Sequence, residues 1–175
     1  MILAGDENIF AIKAEIESIE GTWIYGGFQF VLHGQYCGNW EDYNSLDGSY
    51  GWLKDFIEKP VDRLDLNLLA LPSNVVFEKV VDSVLARSNV RKNTQTIIEN
   101  LPYKRFHISH VGMSSFDRVV MILIEGVDKQ RCLWEEGGKG KIIHDDIFPS
   151  GHMQKIASEF CRLFEIEAQK QGGKL

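Results

Sequence analysis

The chain has 175 residues, which is enough for one domain that buries roughly two thirds or more of its unfolded surface. Its composition, 44% hydrophobic and 25% charged, is typical of a globular protein and argues against disorder. Its longest apolar runs have about six residues, too short to span a membrane, and its first residues lack the basic and apolar regions of a secretion signal.

The net charge of −6 is unevenly distributed along the chain. Residues 1–67 carry twelve acidic and four basic side chains, a balance of −8, whereas residues 68–175 have a balance of +2. An acidic first third disfavours nucleic acid as a partner, because the phosphates would be repelled. It favours either a basic protein partner or simply a solvated acidic face.

The three cysteines, Cys37, Cys132 and Cys161, are widely spaced and include no Cys-x-x-Cys pair. An odd number of such residues is typical of a protein that stays in a reducing compartment. We therefore predict three packed thiols and a cytoplasmic location.

The first part of the chain predicts an antiparallel meander of strands. Residues 9–19 alternate apolar and polar side chains, as a half-buried strand does. A turn then leads to a returning strand over Trp23–Leu32, in which Gly26-Gly27 indicates a bulge or a close backbone approach. His33-Gly34 predicts another turn before a shorter strand over residues 35–40.

The next part predicts a loop and two helices. Residues 41–51 are polar and contain Asp47-Gly48, a turn signal, so we expect a loop there. One helix is expected to follow and to end before Pro60, and another is expected to begin at Ser73 as its N-cap. The apolar positions that define these helices are Trp52, Leu53, Phe56 and Ile57 in the first and Phe77, Val80, Val81, Val84 and Leu85 in the second.

The middle of the chain is less regular. Residues 64–71 are apolar and ambiguous between helix and strand, and residues 87–101 are polar and basic, which indicates a loop with one short helix. Residues 103–111 alternate enough to predict a strand that enters the core. Residues 119–124 are six consecutive apolar side chains, many of them β-branched, which is typical of a strand buried on both faces.

Two more strands are predicted after this buried run. Residues 128–130 would turn the chain into a returning strand over residues 131–136. Residues 137–140, Gly-Gly-Lys-Gly, would turn it again into a strand over residues 141–144.

A long amphipathic helix is predicted to follow Pro149 and to cover the sheet that these strands form. Ser150 would cap it, and Gly172-Gly173 would end it. Its apolar stripe is predicted to contact the core, and the alternative is a partner-binding helix. The stripe consists of Met153, Ile156, Ala157, Phe160, Leu163 and Phe164. The whole pattern predicts an α+β fold over residues 1–175: one domain, with an antiparallel sheet and packed helices.

Histidine and cysteine spacing predicts no active site. His33 and Cys37 could act as base and nucleophile only if the residues between them were helical, and Gly34 argues against a helix. His107 and His110 would point to opposite faces of the predicted strand, which disfavours a metal site.

The charged pairs of the C-terminal half are equally uninformative. Residues 137–141 lack the spacing of a phosphate-binding loop and precede a predicted strand, so they favour a hairpin turn. Asp145-Asp146 could bind a cation, and Glu135-Glu136 likewise, but adjacent carboxylates are common at strand ends. We predict a protein that is not an enzyme and has no metal or cofactor. The alternative is a small hydrolase or ligand-binding enzyme that uses His33 and Cys37, or Asp145 and Asp146.

Residues 40–52 form the most unusual stretch of the chain, because aromatic side chains alternate there with carboxylates. Aromatic anchors beside steering charges are typical of a protein interface that meets a basic patch. The alternative is that Trp40 and Trp52 pin a loop to the core while the acids are solvated. The partner-binding residues predicted here are Trp40, Glu41, Asp42, Tyr43, Asp47, Tyr50 and Asp55.

Three features together resemble the bacterial polymorphic-toxin immunity proteins, in particular the immunity protein 42 family. The first is residues 22–30, Thr-Trp-Ile-Tyr-Gly-Gly-Phe-Gln-Phe, with Gly34 and residues 38–40, Gly-Asn-Trp. The second is the apolar helix near Ser73, and the third is the ending, residues 138–143 and 148–151 with the closing helix. The resemblance implies a small, cytoplasmic, non-enzymatic protein that neutralises a cognate toxin, often a nuclease. It implies no catalytic residue, and it transfers no toxin contact to this chain.

Overall fold

The computed structural model describes residues 1–59, 61–85, 101–108, 111, 114–136 and 142–173. The predicted α+β class is confirmed, with antiparallel sheets, packed helices and a long C-terminal helix. The chain divides into two compact units. Unit 1 comprises Met1–Pro60, His110–Val119 and Gly151–Leu175, and unit 2 comprises Val61–Ser109 and Val120–Ser150. The single domain stays a prediction.

The strands and helices are labelled in chain order. The strands are β1 (Ile2–Asp6), β2 (Phe10–Glu20), β3 (Trp23–Leu32), β4 (Gln35–Cys37), β5 (Asn44–Ser45), β6 (Val119–Glu125), β7 (Lys129–Glu136) and β8 (His144–Pro149). The α-helices are α1 (Leu46–Glu58), α2 (Leu66–Ala70), α3 (Ser73–Leu85) and α4 (His152–Lys170), and short 3-10 helices cover Leu101–Phe106 and Ser114–Phe116.

The sheet of unit 1 has the order β1-β2-β3-β4, with β5 also paired to β3. The predicted hairpin of β2 and β3 is confirmed. It was predictable because alternation over ten or so residues is a strong strand signal. The third strand ends at Cys37 rather than at residue 40. The edge strand β1, which pairs antiparallel with β2, was not predicted.

A bulge in β2 decides which side chains share each face of this sheet. The register shifts between Ile16, which lies opposite Gly26, and Ser18, which lies opposite Tyr25, so Glu17 is the extra residue. The irregularity predicted at Gly26-Gly27 is therefore confirmed, with the extra residue on the neighbouring strand. Beyond the bulge the alternation is reversed, and Ser18 shares a face with Lys13.

Helix α1 replaces most of the loop that was predicted for residues 41–51. It begins at Leu46, because Leu46, Ser49, Leu53 and Phe56 recur at helical spacing and are all buried. Asp47 lies in its first turn, where a carboxylate is favoured by the helix dipole. The loop prediction was wrong here because Asp47-Gly48 and Gly51 are turn residues by composition. The predicted end before Pro60 is confirmed.

The C-terminal helix α4 packs on β1 and β2 and on α1, all in unit 1. The sheet that it covers in unit 1 is the N-terminal one, and its predicted cover of the C-terminal strands stays a prediction. Its apolar stripe is core, as predicted, with Phe160 1% exposed. Gly151, not Ser150, occupies the N-cap position. At the other end Gly173 N–H donates to Ala168 O and Gly172 N–H to Gln169 O, which confirms the predicted glycine stop.

Unit 2 contains α2, α3 and the sheet β6-β7-β8. Residues 119–124 are all buried, as predicted for a strand with two covered faces. Helix α3 lies where it was predicted, with Ser73 as its first residue, and the Ser73 hydroxyl donates to Asp145. The ambiguous residues 64–71 contain α2, which Asp65 caps by accepting from Leu68 N–H.

Two strand predictions in unit 2 were wrong. Residues 103–111 were predicted as a strand, but Leu101–Phe106 is a 3-10 helix, and among the described residues that follow it His107 forms an isolated bridge to Ile122. Pro102 presets the backbone angle of a helical first turn, which explains the difference. The last strand is His144–Pro149 instead of residues 141–144. The predictions for residues 87–101 (up to Asn100) and 137–140 lie outside the described residues.

Candidate protein-binding surface

The predicted partner-binding stretch is divided between two parts of unit 1. Trp40 and Tyr43 lie on the outer face of the sheet, the face that carries Tyr25 and Gly27. The indole of Trp40 covers Gly27 so closely that an added Cβ there would be 3.1 Å from it. Tyr43 stacks on Tyr25 with 5.4 Å between ring centroids. These two aromatic side chains are therefore fixed against strand β3.

The two acidic residues between Trp40 and Tyr43 differ in their exposure. Glu41 is exposed. Asp42 is half-buried, and its Oδ1 accepts a hydrogen bond of 2.8 Å from Asn39 Nδ2. Glu41 is thus available to a partner, whereas Asp42 also shapes its own loop.

Asp47 and Tyr50 are engaged inside unit 1. Asp47 Oδ2 accepts from Ile24 N–H at 2.8 Å, which ties the start of α1 to β3. The Tyr50 ring stacks on Phe164 at 5.3 Å, and its hydroxyl donates to Glu165 Oε1 at 2.5 Å. Burial, followed by this hydrogen bond, raises the pKa of Tyr50 to about 12. The structure thus gives both side chains a role in packing α1.

The last predicted residue, Asp55, is exposed on α1 and forms an ion pair of 2.7 Å with Lys59. Trp52 is half-buried and stacks on Phe56 at 5.4 Å. Trp52 thus packs against a residue of its own helix, and the partner-binding role of the predicted residues stays a prediction. Glu41 and Asp55 are the two exposed acids of the predicted set, and Asp42 and Asp47 are half-buried.

The outer face of the sheet carries further aromatic residues, which were not among the predicted partner-binding residues. Trp23 and Tyr25 occupy the outward positions of β3, and Tyr36 lies opposite Val31 on the same face. Lys13 Nζ lies 5.6 Å from the centroids of both the Tyr36 and Trp40 rings. The available signal was alternation: aromatic side chains occupied the positions at which a half-exposed strand normally carries polar ones.

The first alternative catalytic pair is not assembled. Cys37 is completely buried on the inner face, opposite Phe30. His33 is exposed in the turn between β3 and β4, with a positive φ of 48°. A buried thiol and an exposed imidazole on a tight turn do not form a nucleophile and its base. All three cysteines are buried, as predicted, and none forms a disulfide, and burial raises the pKa of Cys161 to about 11.

The second alternative pair, Asp145 and Asp146, is held by other side chains of unit 2. Arg131 donates to both oxygens of Asp145, at 2.8 and 2.7 Å, and these bonds lower the pKa of that carboxyl. Asp146 accepts from Trp134 Nε1 at 2.8 Å. Neighbouring strand positions point to opposite faces, so the pair does not converge on one cation.

An open cleft of about 460 Å³ lies beside Arg131. The remaining donors of Arg131 are directed to Leu69 O, Leu71 O and the Ser73 hydroxyl. A guanidinium has five N–H donors, and here each has an acceptor, so Arg131 is a structural residue and not a free anion site. Within the described part of the chain, no group of three His, Cys, Asp or Glu side chains could hold a metal ion. His110, half of the disfavoured histidine pair, lies outside that part.

The described residues thus define an α+β protein whose unusual feature is an exposed, partly acidic aromatic surface. The family model of immunity protein 42 matches residues 1–162, and the chain belongs to this family. The crystal structure of CdiI from Burkholderia dolosa AUO158 superposes with a TM-score of 0.68 at 13% identity, covering 90% of this chain and 97% of that one. At this identity the likeness shows a shared fold. No curated protein sequence matches the chain. None of the described helices could cross a membrane.

Proposed function

We propose that this protein is an immunity protein that binds a cognate secreted toxin domain and neutralises it by occluding its active site. The observation that carries the proposal is the match of the immunity protein 42 family to residues 1–162. The protein itself performs no catalysis in this proposal. The buried thiol of Cys37 and the engaged carboxylates of Asp145 and Asp146 support that part.

The partner that we propose is a toxin domain with a basic surface, of which a nuclease is the natural example. A nuclease must attract phosphates, so the surface around its active site is positive. The balance of −8 over residues 1–67 would be attracted to such a surface, and Glu41 and Asp55 are exposed. Acidic side chains would then occupy the groove that otherwise holds the nucleic acid. Neither nucleic acid nor a membrane is a partner in this proposal.

The location that we propose is the cytoplasm. Three buried cysteines that form no disulfide suit a reducing compartment. An immunity protein must also be present where an incoming toxin would act.

The test combines protection with binding kinetics. Cells that express the toxin domain encoded by the neighbouring gene should survive only when this protein is also present. With purified proteins, the double reversal Glu41→Lys and Asp55→Lys should slow association by about tenfold at low salt. It should change dissociation little, because rim charges act mainly on diffusional encounter. The salt dependence of the association rate should become weaker, since the Debye length is about 8–10 Å at moderate ionic strength.

A matched control separates local charge from net charge. Glu78→Lys with Glu159→Lys makes the same change in net charge at two exposed positions on α3 and α4. If this control slows association equally, net charge rather than the predicted stretch is responsible. If the wild-type protein neither binds nor protects, the immunity function is wrong for this toxin domain.

A further inference from the structure

The outer face of the unit 1 sheet carries five aromatic side chains, which we call the aromatic strip. Its members are Trp23, Tyr25, Tyr36, Trp40 and Tyr43. Trp23, Tyr36 and Tyr43 are 57%, 54% and 53% exposed. The helices α1 and α4 pack on the other face, where Phe160 contacts Phe28. Aromatic side chains exposed together on one face are characteristic of protein interaction sites.

Four members of the strip are held in place by contacts within unit 1, namely Tyr25, Tyr36, Trp40 and Tyr43. The Tyr43 hydroxyl and the Ser18 hydroxyl are 2.5 Å apart, while the Tyr43 ring stacks on Tyr25. Lys13 Nζ lies over both Tyr36 and Trp40 at 5.6 Å from each centroid. Side chains that are already ordered lose less conformational entropy when a partner binds. The ordered side chains of this surface therefore favour a role in binding a partner, rather than a role as a flexible surface that only contacts solvent.

The length of the strip matches a protein partner. Trp23 and Val31, the residue opposite Tyr36, are eight positions apart on β3, which is about 26 Å at ~3.3 Å per residue. A standard interface buries about 800 Å² on each partner, a patch about 28 Å across. The strip therefore extends along most of the width of such an interface.

The charge around the strip is negative. Glu15 and Glu20 are exposed on the same face. Glu15 lies opposite Gly27, and Glu20 lies opposite Trp23 because the bulge at Glu17 reverses the alternation. Glu41 is exposed directly after Trp40. The cation of the face, Lys13, is 3.7 Å from Glu7 Oε1. A partner that covers the strip must therefore present a basic surface around an apolar centre.

We propose that the aromatic strip is the surface that binds the cognate toxin domain, with Trp23 and Tyr36 as its main anchors. This inference rests on the proposed immunity function, and it identifies the surface responsible. Tyr25, Trp40 and Tyr43 form the central platform, and the acidic residues around them face a basic rim on the toxin. Tyr50 lies outside this surface, because it packs on Phe164.

The experiment measures the affinity of the full-length protein for an inactivated form of the neighbouring toxin domain. Trp23→Ala and Tyr36→Ala should each raise the dissociation constant by about 30-fold, as truncated interface anchors do. Thermal unfolding should change little, because both side chains are more than half exposed. Ile166→Ala on α4 and Ile147→Ala on β8 are matched controls at exposed apolar positions, and they should change the affinity less than twofold.

The outcomes separate the surface from the function. If the wild-type protein binds and both aromatic variants bind equally well, the strip is not the interface and the immunity function stands. If the wild-type protein fails to bind and to protect, both proposals are wrong. If the wild-type protein forms a dimer that Trp23→Ala dissociates while toxin binding is kept, the strip binds a second copy of this chain and the proposal is wrong.

Discussion

Truncation of Phe160 tests whether helix α4 is core or interface. The side chain is 1% exposed, meets Phe28 edge-to-face at 5.6 Å between ring centroids, and stacks on Phe164 at 5.8 Å. Phe160→Ala removes a ring from this cluster and leaves a cavity that the neighbours fill only partly. Changes of this type cost about 3–5 kcal/mol. We therefore expect the free energy of unfolding to fall by that amount.

The expected shift is large enough to measure by circular dichroism during heating. For a chain of about this size, each kcal/mol lowers Tm by roughly 2–4 °C, so the fall should be about 6–20 °C. Glu159→Ala, at the exposed neighbouring position, is the control and should shift Tm by no more than about 2 °C. An unchanged Tm combined with lost toxin binding would refute the core assignment and make α4 an interface helix.

Two further predictions concern the chemistry of unit 2 and of the chain as a whole. Because the bonds from Arg131 lower the pKa of Asp145, this carboxyl contributes stability that is complete above its unfolded pKa near 3.8 and is lost as pH falls through the lower folded value. Asp145→Asn should therefore reduce stability at neutral pH and weaken its acid dependence, and an unchanged acid unfolding profile would contradict this. We also expect elemental analysis of the purified protein to find no stoichiometric zinc or iron, since no suitable side-chain cluster exists among the described residues; a stoichiometric metal would contradict the prediction.

The strands β2, β3 and β6 were predictable because a period of two residues, or a continuous apolar run, has few alternative explanations. Strand β8 was not, because Asp145 and Asp146 appeared to mark a strand end. In the structure both lie within the strand, where Arg131 and Trp134 hold one each. The side chains that bind these two carboxylates belong to the neighbouring strand β7, so the local sequence around residues 145–146 does not reveal them.

Helix α1 shows the same limit for helices. Its buried positions Leu46, Ser49, Leu53 and Phe56 follow helical spacing, but a serine in an apolar stripe conceals the pattern. Ser49 is tolerated in the core because its hydroxyl donates to Val111 O at 3.1 Å. That acceptor is distant in the sequence, and only the fold reveals it.

Only part of the candidate surface was predictable, because its residues come from several strands. The sequence singled out residues 40–52 as one stretch. The structure keeps Trp40 and Tyr43 on one face of the sheet, whereas Tyr50 packs α1. Trp23 and Tyr36 belong to strands that meet side by side only after folding. A surface assembled across several strands has no spacing signature, unlike a metal or nucleotide motif.

The exposed acids and the aromatic strip are expected to act on different steps of binding, which makes the two proposals separable in one kinetic experiment. Charges beside the strip attract a basic partner over several ångströms, so reversing Glu20 and Glu41 should lower the association rate, and added salt should reduce the difference. Aromatic anchors interact only after contact, so truncating Trp23 or Tyr36 should raise the dissociation rate at any salt concentration. If both sets of variants changed only the association rate, the strip would not be desolvated in the complex. The toxin would then be bound through charge alone, and its affinity would fall steeply with ionic strength.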